Sequence, residues 1–254
     1  VEYKKDDTFG FFYNLDSWAA MSVIVHCIKN GVKPLYIHID GDVLHQLSKV
    51  SHLSITPTLL QLIAMKSENI AISNIKKVVL GGEYSTQKIL DLCKLTFPNA
   101  DITHIYSSTE TGDIASSSDL KEGYKKEKFD SYEFDKNNCL LVNNINTGDI
   151  WSLQGNRYYF KGRIDRSIKI AGNLVLLDAI ENAISNLGFI NECSCIEKDA
   201  PLIGKSYELQ YVGDKSIEYV KAELSKVLNK YEMPIRITKV TEIGLGRNYK
   251  KRAQ

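Results

Sequence analysis

The sequence predicts an α/β protein: part of a large domain built on a mixed, mainly parallel sheet with flanking helices, followed by a small α+β domain. Short runs of β-branched and aromatic residues alternate with amphipathic stretches, which is typical of strand–helix–strand units in parallel sheets. After Asp113 short strands and turns dominate, and after Gly162 a second strand–helix alternation begins. We therefore predict two domains, residues 1–161 and 162–254.

The elements of the first domain are bounded by recognisable end signals. Gly31 follows an amphipathic stretch and predicts a helix cap, and Pro57 stands where a helix begins, because its missing N–H costs nothing in a first turn. Gly81 and Gly82 end a short apolar run that is typical of a buried strand. The predicted strands are residues 11–13, 33–39, 52–55, 77–80 and 102–106, and the predicted helices are residues 17–30, 41–49, 57–66 and 85–95.

Short strands fill the region that follows, including residues 139–142 and 158–160. The second domain then has its own alternation over about ninety residues, which suits a small α+β fold. Its predicted strands are residues 167–170, 192–196, 207–212 and 235–240, and its predicted helices are residues 177–187 and 216–229.

Composition excludes several classes of function. The 254 residues carry 32 Lys and Arg against 31 Asp and Glu, so net charge offers no basis for binding nucleic acid or an anionic membrane. No apolar run reaches the ~18 residues of a membrane helix, and no signal peptide opens the chain. The five cysteines and five histidines are scattered without metal-ligand spacing, which predicts reduced core thiols in a cytoplasmic protein. Cys193 and Cys195 suit one face of a strand.

Two predicted strands end in residues that suit a nucleotide. One is followed by Gly81, Gly82 and Glu83, and paired glycines let the backbone approach a flat ligand closely. The other ends in residues 106–112, which offer an aromatic face, hydroxyls and a carboxylate for a base, phosphate oxygens and Mg²⁺. Ligands of open parallel sheets bind beyond the carboxyl ends of the strands. Alone, the first motif equally fits a strand-to-helix turn, and the second also fits a capping loop.

Two further motifs place charges beside turns. Asp149 follows a glycine in a Thr-Gly-Asp sequence, where its carboxylate could accept hydrogen bonds from a ribose diol. Gly162-Arg163-Ile164-Asp165 opens the second domain, and its arginine could reach ribose or phosphate. By themselves, the first is also an ordinary turn and the second a surface ion pair.

Taken in order, these segments resemble the adenylate-forming superfamily of acyl-CoA synthetases, nonribosomal peptide adenylation domains and firefly luciferase. The resemblance covers essentially the whole chain and rests on many modest motifs in the right order. The residues that carry it are 55–60, 81–83, 106–110, 147–149, 162–165, 169–172, 179–181, 231–234 and the tail to Lys250.

The resemblance implies an adenosine-binding role for four of these segments. The glycine motif would lie along adenine through its backbone, the tyrosine of the second motif would stack on the base, and Asp149 would bind the ribose hydroxyls. Ser107 stands where the family prefers glycine. The implied nucleotide-binding residues are Gly81, Gly82, Glu83, Tyr106, Ser107, Asp149 and Arg163.

The resemblance also implies the catalytic residues. Thr109 would touch the α-phosphate and Glu110 would hold Mg²⁺. Lys250 falls where the family keeps a catalytic lysine, whose compact charge stabilises charge on the substrate carboxylate and the α-phosphate. Tyr249 precedes it where glycine is usual. Without the resemblance, Lys250 also fits the interpretation that it is one more residue of a basic tail.

The implied reaction joins a small carboxylic acid to AMP from ATP, with Mg²⁺, and then passes the acyl group to a thiol of CoA or of carrier-protein phosphopantetheine. Asp165 would be the hinge about which the small domain rotates, presenting the thiolation face around Lys169 and Gly172. Residues 176–181 look more like the branch of the family that serves acyl or peptidyl carrier proteins. Asn14 and Asp16 compete for the position that holds an amino-acid ammonium group.

The family's glycine- and hydroxyl-rich phosphate loop has no counterpart in this sequence. Together with a start at Val1, this predicts a fragment that lacks the N-terminal phosphate-loop portion, which an upstream segment or partner chain would supply. The alternative is a non-catalytic module that keeps an adenosine or acyl-adenylate pocket, since fold does not determine function.

Overall fold

The protein is described here from a computed structural model, which covers residues 3–4, 6–108, 111–201 and 204–244. The described chain forms two compact units that divide between Asp130 and Ser131. The predicted fold class is confirmed, because a mainly parallel sheet with flanking helices is followed by a smaller sheet with two helices. The predicted domain boundary at residues 161/162 stays a prediction; it lies inside the second unit, close to the start of that unit's second sheet.

The first unit contains seven strands and four α-helices among its described residues. The strands are β1 (Thr8–Phe11), β2 (Lys33–Tyr36), β3 (His52–Ile55), β4 (Lys77–Leu80), β5 (Asp101–Ser108), β6 (Gly112–Ser117) and β7 (Tyr124–Lys125), and the helices are α1 (Trp18–Asn30), α2 (Val43–Leu47), α3 (Pro57–Lys66) and α4 (Gln87–Thr96). Its sheet has the order β2-β1-β3-β4-β5-β6. Strands β1 to β5 run parallel, and β6 returns antiparallel beside β5.

The helix ends follow the signals in the sequence. The Ser17 hydroxyl accepts from the Ala20 N–H at the start of α1, and Gly31 closes that helix at φ +64°. The Thr56 hydroxyl accepts from the Leu59 N–H at the start of α3. These caps satisfy backbone groups that a helix end would otherwise leave without partners, which explains why the sequence located both helices well.

Apolar residues cover both faces of this sheet because side chains alternate along a strand. On one face, Phe9 and Phe11 pack against Ala20, Val23 and Cys27 of α1. On the other face, the buried residues of β3, β4 and β5 pack against helices α2, α3 and α4. The two layers leave the carboxyl ends of β4 and β5 side by side at one edge.

The second unit contains two sheets. The first consists of β8 (Glu133–Phe134), β9 (Cys139–Val142), β10 (Ile145–Gln154) and β11 (Arg157–Arg163), which pair antiparallel in chain order. A short 3-10 helix, Ile164–Arg166, leads into the second sheet. Its elements are β12 (Ser167–Ile170), β13 (Asn173–Leu176), α5 (Leu177–Ser185), β14 (Glu192–Ala200), β15 (Gly204–Val212), α6 (Ile217–Val227) and β16 (Arg236–Lys239).

This second sheet has the order β13-β12-β15-β14, with β16 parallel to β15. Its core joins Ile180 and Ile184 of α5 to Val220 and Leu224 of α6 across the strands. All five cysteines of the chain are buried and none is in a disulfide; Cys193 and Cys195 lie on β14 in this core, as their spacing predicts. Among the described residues, no helix is long and apolar enough to cross a membrane.

β6 and β13 are among the strands that the sequence missed. The alternation of residues 112–117 and 173–176 is weak, yet both segments form strands because each pairs antiparallel with the strand that precedes it. Strand β1 also starts three residues and ends two residues earlier than predicted: the aromatic run continues through Tyr13, but strand pairing with β2 ends at Phe11.

Candidate functional site

The glycine motif lies at the carboxyl end of β4, as predicted. The Gly81 N–H donates to the Ile55 carbonyl at 3.1 Å, so the backbone stays close to β3. A Cβ on Gly81 would lie only 2.8 Å from Cγ1 of Ile105 on the neighbouring strand β5. Gly82 is exposed and adopts φ +80°, a backbone conformation that favours glycine. The motif therefore brings bare backbone to the surface beside β5.

The side chain of Glu83 turns to the start of α3. Its carboxylate accepts from the backbone N–H of Thr58 at 2.9 Å and from the Thr58 hydroxyl at 3.0 Å. Thr58 lies in the first turn of α3, where free N–H groups and the helix dipole favour a negative charge. The sequence missed this contact, since nothing local connects residues 58 and 83. Because the Glu83 carboxylate binds Thr58, the implied contact with adenine would be made by the backbone of Glu83.

Tyr106 and Ser107 occupy the end of β5, next to the glycine motif. Both are half-buried, and the register of β5 against β6 shifts between them. The Tyr106 ring lies 6.5 Å from the ring of Tyr124, centroid to centroid. β4 and β5 pair in parallel up to Leu80 and His104. Gly81 and Gly82 follow the end of β4, and a Cβ on Gly81 would meet Ile105 of β5, so the glycine motif lies beside the stretch of β5 that contains Tyr106.

Hydrogen bonds join Ser108 to Thr111 just after β5. The hydroxyls of Ser108 and Thr111 lie 2.7 Å apart, and the Thr111 N–H donates to the Ser108 hydroxyl at 3.1 Å. The two predicted catalytic residues between them, Thr109 and Glu110, lie outside the described residues, as does Lys250. Their roles, including the Mg²⁺ contact of Glu110, stay predictions.

This edge suits a planar base. Gly82 exposes backbone that carries no side chain, and half-buried Tyr106 on the neighbouring strand carries an aromatic ring. Bare backbone and an aromatic ring are groups that suit adenine, and the adenine-binding roles of Gly81, Gly82, Glu83 and Tyr106 stay predictions.

The second unit pairs two further predicted residues. Asp149 on β10 lies opposite Arg163 on β11, and the guanidinium Nη1 donates to its carboxylate Oδ1 at 3.0 Å. Asp149 is 7% exposed, so the ion pair is partly shielded from water. The predicted glycine turn is instead an irregularity within β10: Gly148 has φ +75° where the register against β9 shifts, and the Asp149 N–H donates to the Thr147 hydroxyl. The pair holds the carboxylate of Asp149 in one orientation.

The predicted hinge residue also contacts Arg163. The Asp165 carboxylate receives two parallel hydrogen bonds from the Arg163 guanidinium, each 3.0 Å long. This hydrogen bonding lowers the pKa of Asp165 and raises the pKa of Arg163. Both groups therefore stay charged at neutral pH. Arg163 thus bridges the ribose-binding candidate and the hinge candidate.

Sequence reasoning missed a second ion cluster next to the hinge. Arg166 Nε lies 2.8 Å from Asp178 Oδ1, and its Nη2 lies 2.6 Å from Glu181 Oε1. Burial opposes the charge of Arg166, but the carboxylates of Glu181 and Asp178 outweigh this and raise its pKa. The sequence did contain a signal for this cluster: Asp178 and Glu181 lie three positions apart at the start of a predicted helix, and Arg166 precedes them.

The predicted thiolation face lies on a tight hairpin. Lys169 is exposed on β12, and the strand pairs with β13 through the two-residue turn Ala171-Gly172. Both turn residues have positive φ, +47° and +85°, as in a type I′ turn. Glycine suits such a position and alanine does not, so Ala171 has a strained backbone conformation.

The fold recurs in solved structures of adenylate-forming enzymes. A variant of MenE from E. coli with bound OSB-AMS matches with a TM-score of 0.79 at 14% identity, covering 94% of this chain and 58% of that one. The o-succinylbenzoate CoA synthetase of Bacillus subtilis, in complex with the acyl-adenylate intermediate OSB-AMP, matches with a TM-score of 0.73 at 16% identity, covering 98% and 60%. The amide bond synthetase McbA of Marinactinospora thermotolerans gives 0.74 at 14% identity, covering 97% and 60%. At these identities the matches establish the fold.

The sequence is similar to a curated enzyme of the same superfamily. The D-alanine–D-alanyl carrier protein ligase of Lactococcus lactis subsp. lactis strain IL1403 is 26% identical over an alignment of 219 residues, and the match covers 68% of this chain and 44% of that protein. No family model matches the sequence. Together, the curated relative and the shared fold confirm the resemblance to the adenylate-forming superfamily. The chain spans less than half the length of this relative and about 60% of the solved structures.

Proposed function

We propose that this chain is part of an AMP-forming carboxylic-acid ligase, which activates a small acid as its acyl-adenylate and passes the acyl group to a thiol. The observation that carries the proposal is the sheet edge where exposed Gly82, just after β4, lies beside the stretch of β5 that contains half-buried Tyr106. An open parallel sheet binds its ligands at that edge. The curated relative and the shared fold support the same general reaction.

Each described site residue then has a chemical task. Tyr106 stacks on the adenine, and the backbone of residues 81–83 lies along the ring. Asp149 accepts hydrogen bonds from the ribose hydroxyls, and Arg163 keeps its carboxylate oriented through the 3.0 Å ion pair. Mg²⁺, held by Glu110, would neutralise phosphate charge, and Lys250 would stabilise the charge that develops during attack of the carboxylate.

For the acyl acceptor we favour carrier-protein phosphopantetheine over CoA. Residues 176–181 resemble the carrier-protein branch, and the curated relative is named a carrier protein ligase. That relative's name also favours an amino acid as substrate. Asn14 and Asp16, the two candidates for the ammonium contact, are both exposed just after β1.

The test is acid-dependent ATP–pyrophosphate exchange with a panel of amino, aryl and fatty acids. It is run on this chain and on the longest open reading frame that contains it, because the relatives are longer. We expect exchange with one class of acid, and a loss of about 10²- to 10³-fold in Lys250→Ala, the typical cost of removing one such charge-stabilising group. Lys251→Ala is the matched control in the same tail, and we expect it to keep the exchange rate.

A non-catalytic adenosine-binding module is the second candidate, because the implied catalytic residues Thr109, Glu110 and Lys250 lie outside the described residues, whereas the implied adenosine-binding residues lie within them. It predicts that AMP binds, that Tyr106→Ala weakens binding about tenfold through lost stacking, and that no acid supports exchange in either protein. Exchange with any acid that depends on Lys250 would refute this candidate. No exchange with the full panel, while AMP binds, would refute the ligase.

A further inference from the structure

Asp178 contacts the chain on both sides of the predicted hinge. It lies in the first turn of α5, and its Oδ2 accepts from the backbone N–H of Arg163 at 2.9 Å. Its other oxygen, Oδ1, lies 2.8 Å from Nε of Arg166. One carboxylate thus joins the last residue of β11 to the last residue of the 3-10 helix that follows, with Asp165 between them.

A glycine makes this approach of α5 to β11 possible. Gly162 has φ +139°, and a Cβ at this position would lie 3.0 Å from the Cβ of Asp178 and 3.5 Å from the Cβ of Leu176. Any other residue would push α5 away from β11. The close contact is therefore built into the backbone as well as into the carboxylate.

Arg166 belongs to the C-terminal side of the hinge. Its guanidinium also pairs with Glu181 of α5, and Glu181 in turn accepts from the N–H of Cys195 on β14. These contacts join residues that all follow Asp165, so a rotation about Asp165 leaves them intact. Arg163, in contrast, is held on the other side through Asp149 of β10.

We propose that Asp178 is a positioning residue that holds the hinge in the orientation seen here, through the hydrogen bond from the Arg163 N–H. Rotation about Asp165 must break this bond and separate Asp178 from Gly162, whereas the Arg166 contacts move with α5. What the rotation accomplishes rests on the proposed function: one orientation serves adenylation and another serves thiol transfer. The bond itself does not depend on that function.

Limited trypsin digestion tests whether Asp178 holds the hinge through this hydrogen bond. Cleavage after Arg163 is quantified by mass spectrometry under native conditions. Asp178→Ala removes the bond across the hinge, and we expect cleavage about tenfold faster than in the unmodified chain, which corresponds to ~1.4 kcal/mol. Glu181→Gln is the matched control, because it also removes one charged partner of Arg166 but no contact across the hinge. Asp178→Asn keeps an oxygen that accepts from the Arg163 N–H. We therefore expect the cleavage rates of Glu181→Gln and Asp178→Asn to stay within about threefold of the rate of the unmodified chain.

Gly162→Ala tests the same contact without altering a charge, and it should also speed cleavage even if Asp178→Ala fails to fold. Equal rates in Asp178→Ala and Glu181→Gln, or an unchanged rate in a folded Gly162→Ala, would overturn the inference. In a preparation active in pyrophosphate exchange, Asp178→Ala should change the ratio of thiol transfer to exchange; an equal change in both rates would also overturn it. Faster cleavage of Asp178→Ala, combined with no pyrophosphate exchange in any of the proteins, would refute the proposed ligase activity but support the role of Asp178 at the hinge.

Discussion

The contact between Glu83 and α3 allows a prediction about the stability of the first unit. In Glu83→Ala, the Thr58 N–H and hydroxyl lose their carboxylate acceptor. Thr58 is only 6% exposed, so water replaces that acceptor poorly. An N–H left without its acceptor costs ~1 to 3 kcal/mol, and loss of a negative charge at a helix start costs ~0.3 to 1 kcal/mol. Since Glu83 itself is half-buried, we expect the sum of these two costs to lie in the lower half of its range, and the free energy of unfolding to fall by about 2 kcal/mol.

Urea unfolding at pH 7, followed by circular dichroism and by tyrosine and tryptophan fluorescence, measures this difference. Glu83→Gln keeps an oxygen acceptor but loses the charge, and it should lie between Glu83→Ala and the unmodified chain. Glu127→Ala is the control, because that exposed glutamate should cost less than ~0.5 kcal/mol. A folded Glu83→Ala with an unchanged urea midpoint would refute the assignment of Glu83 to the start of α3.

Three other predictions follow from single positions. Ala171→Gly should stabilise the chain by about 0.5 to 1 kcal/mol in urea unfolding, because it relieves a positive φ at the β12–β13 turn; a lower midpoint would contradict the turn geometry. Gly81→Ala should destabilise by ~1 to 3 kcal/mol, since its Cβ would meet Ile105 at 2.8 Å, and it should weaken AMP binding as well. The Lys76 ammonium, 2.7 Å away, lowers the pKa of Asp7 far below its usual range. The stability that this pair contributes is therefore present above about pH 4 and lost as the pH falls towards the folded-state pKa, so the difference in unfolding free energy between the unmodified chain and Asp7→Asn should shrink on acidification. A difference that stays constant down to about pH 2 would contradict the pair.

The fold class and most elements could be predicted because their signals are local. Pro57 marks a helix start, Gly31 marks a helix end, and the apolar run 77–80 predicts a buried strand; the structure has all three. The same locality limited the prediction of β6 and β13. Their alternation is too weak to identify them, and only pairing with the preceding strand makes them strands.

For the candidate site, the sequence alone determined which segments carry groups that suit a nucleotide, because glycine pairs, hydroxyl-rich loops and charges beside turns have their chemistry wherever they lie. Only the tertiary structure decided the partners of those groups. Glu83 binds Thr58, 25 residues away, and Asp178 binds Arg163, 15 residues away. Such contacts depend on the register of neighbouring strands and on how closely a helix approaches a sheet, and both are set by packing of the whole unit rather than by any stretch of sequence.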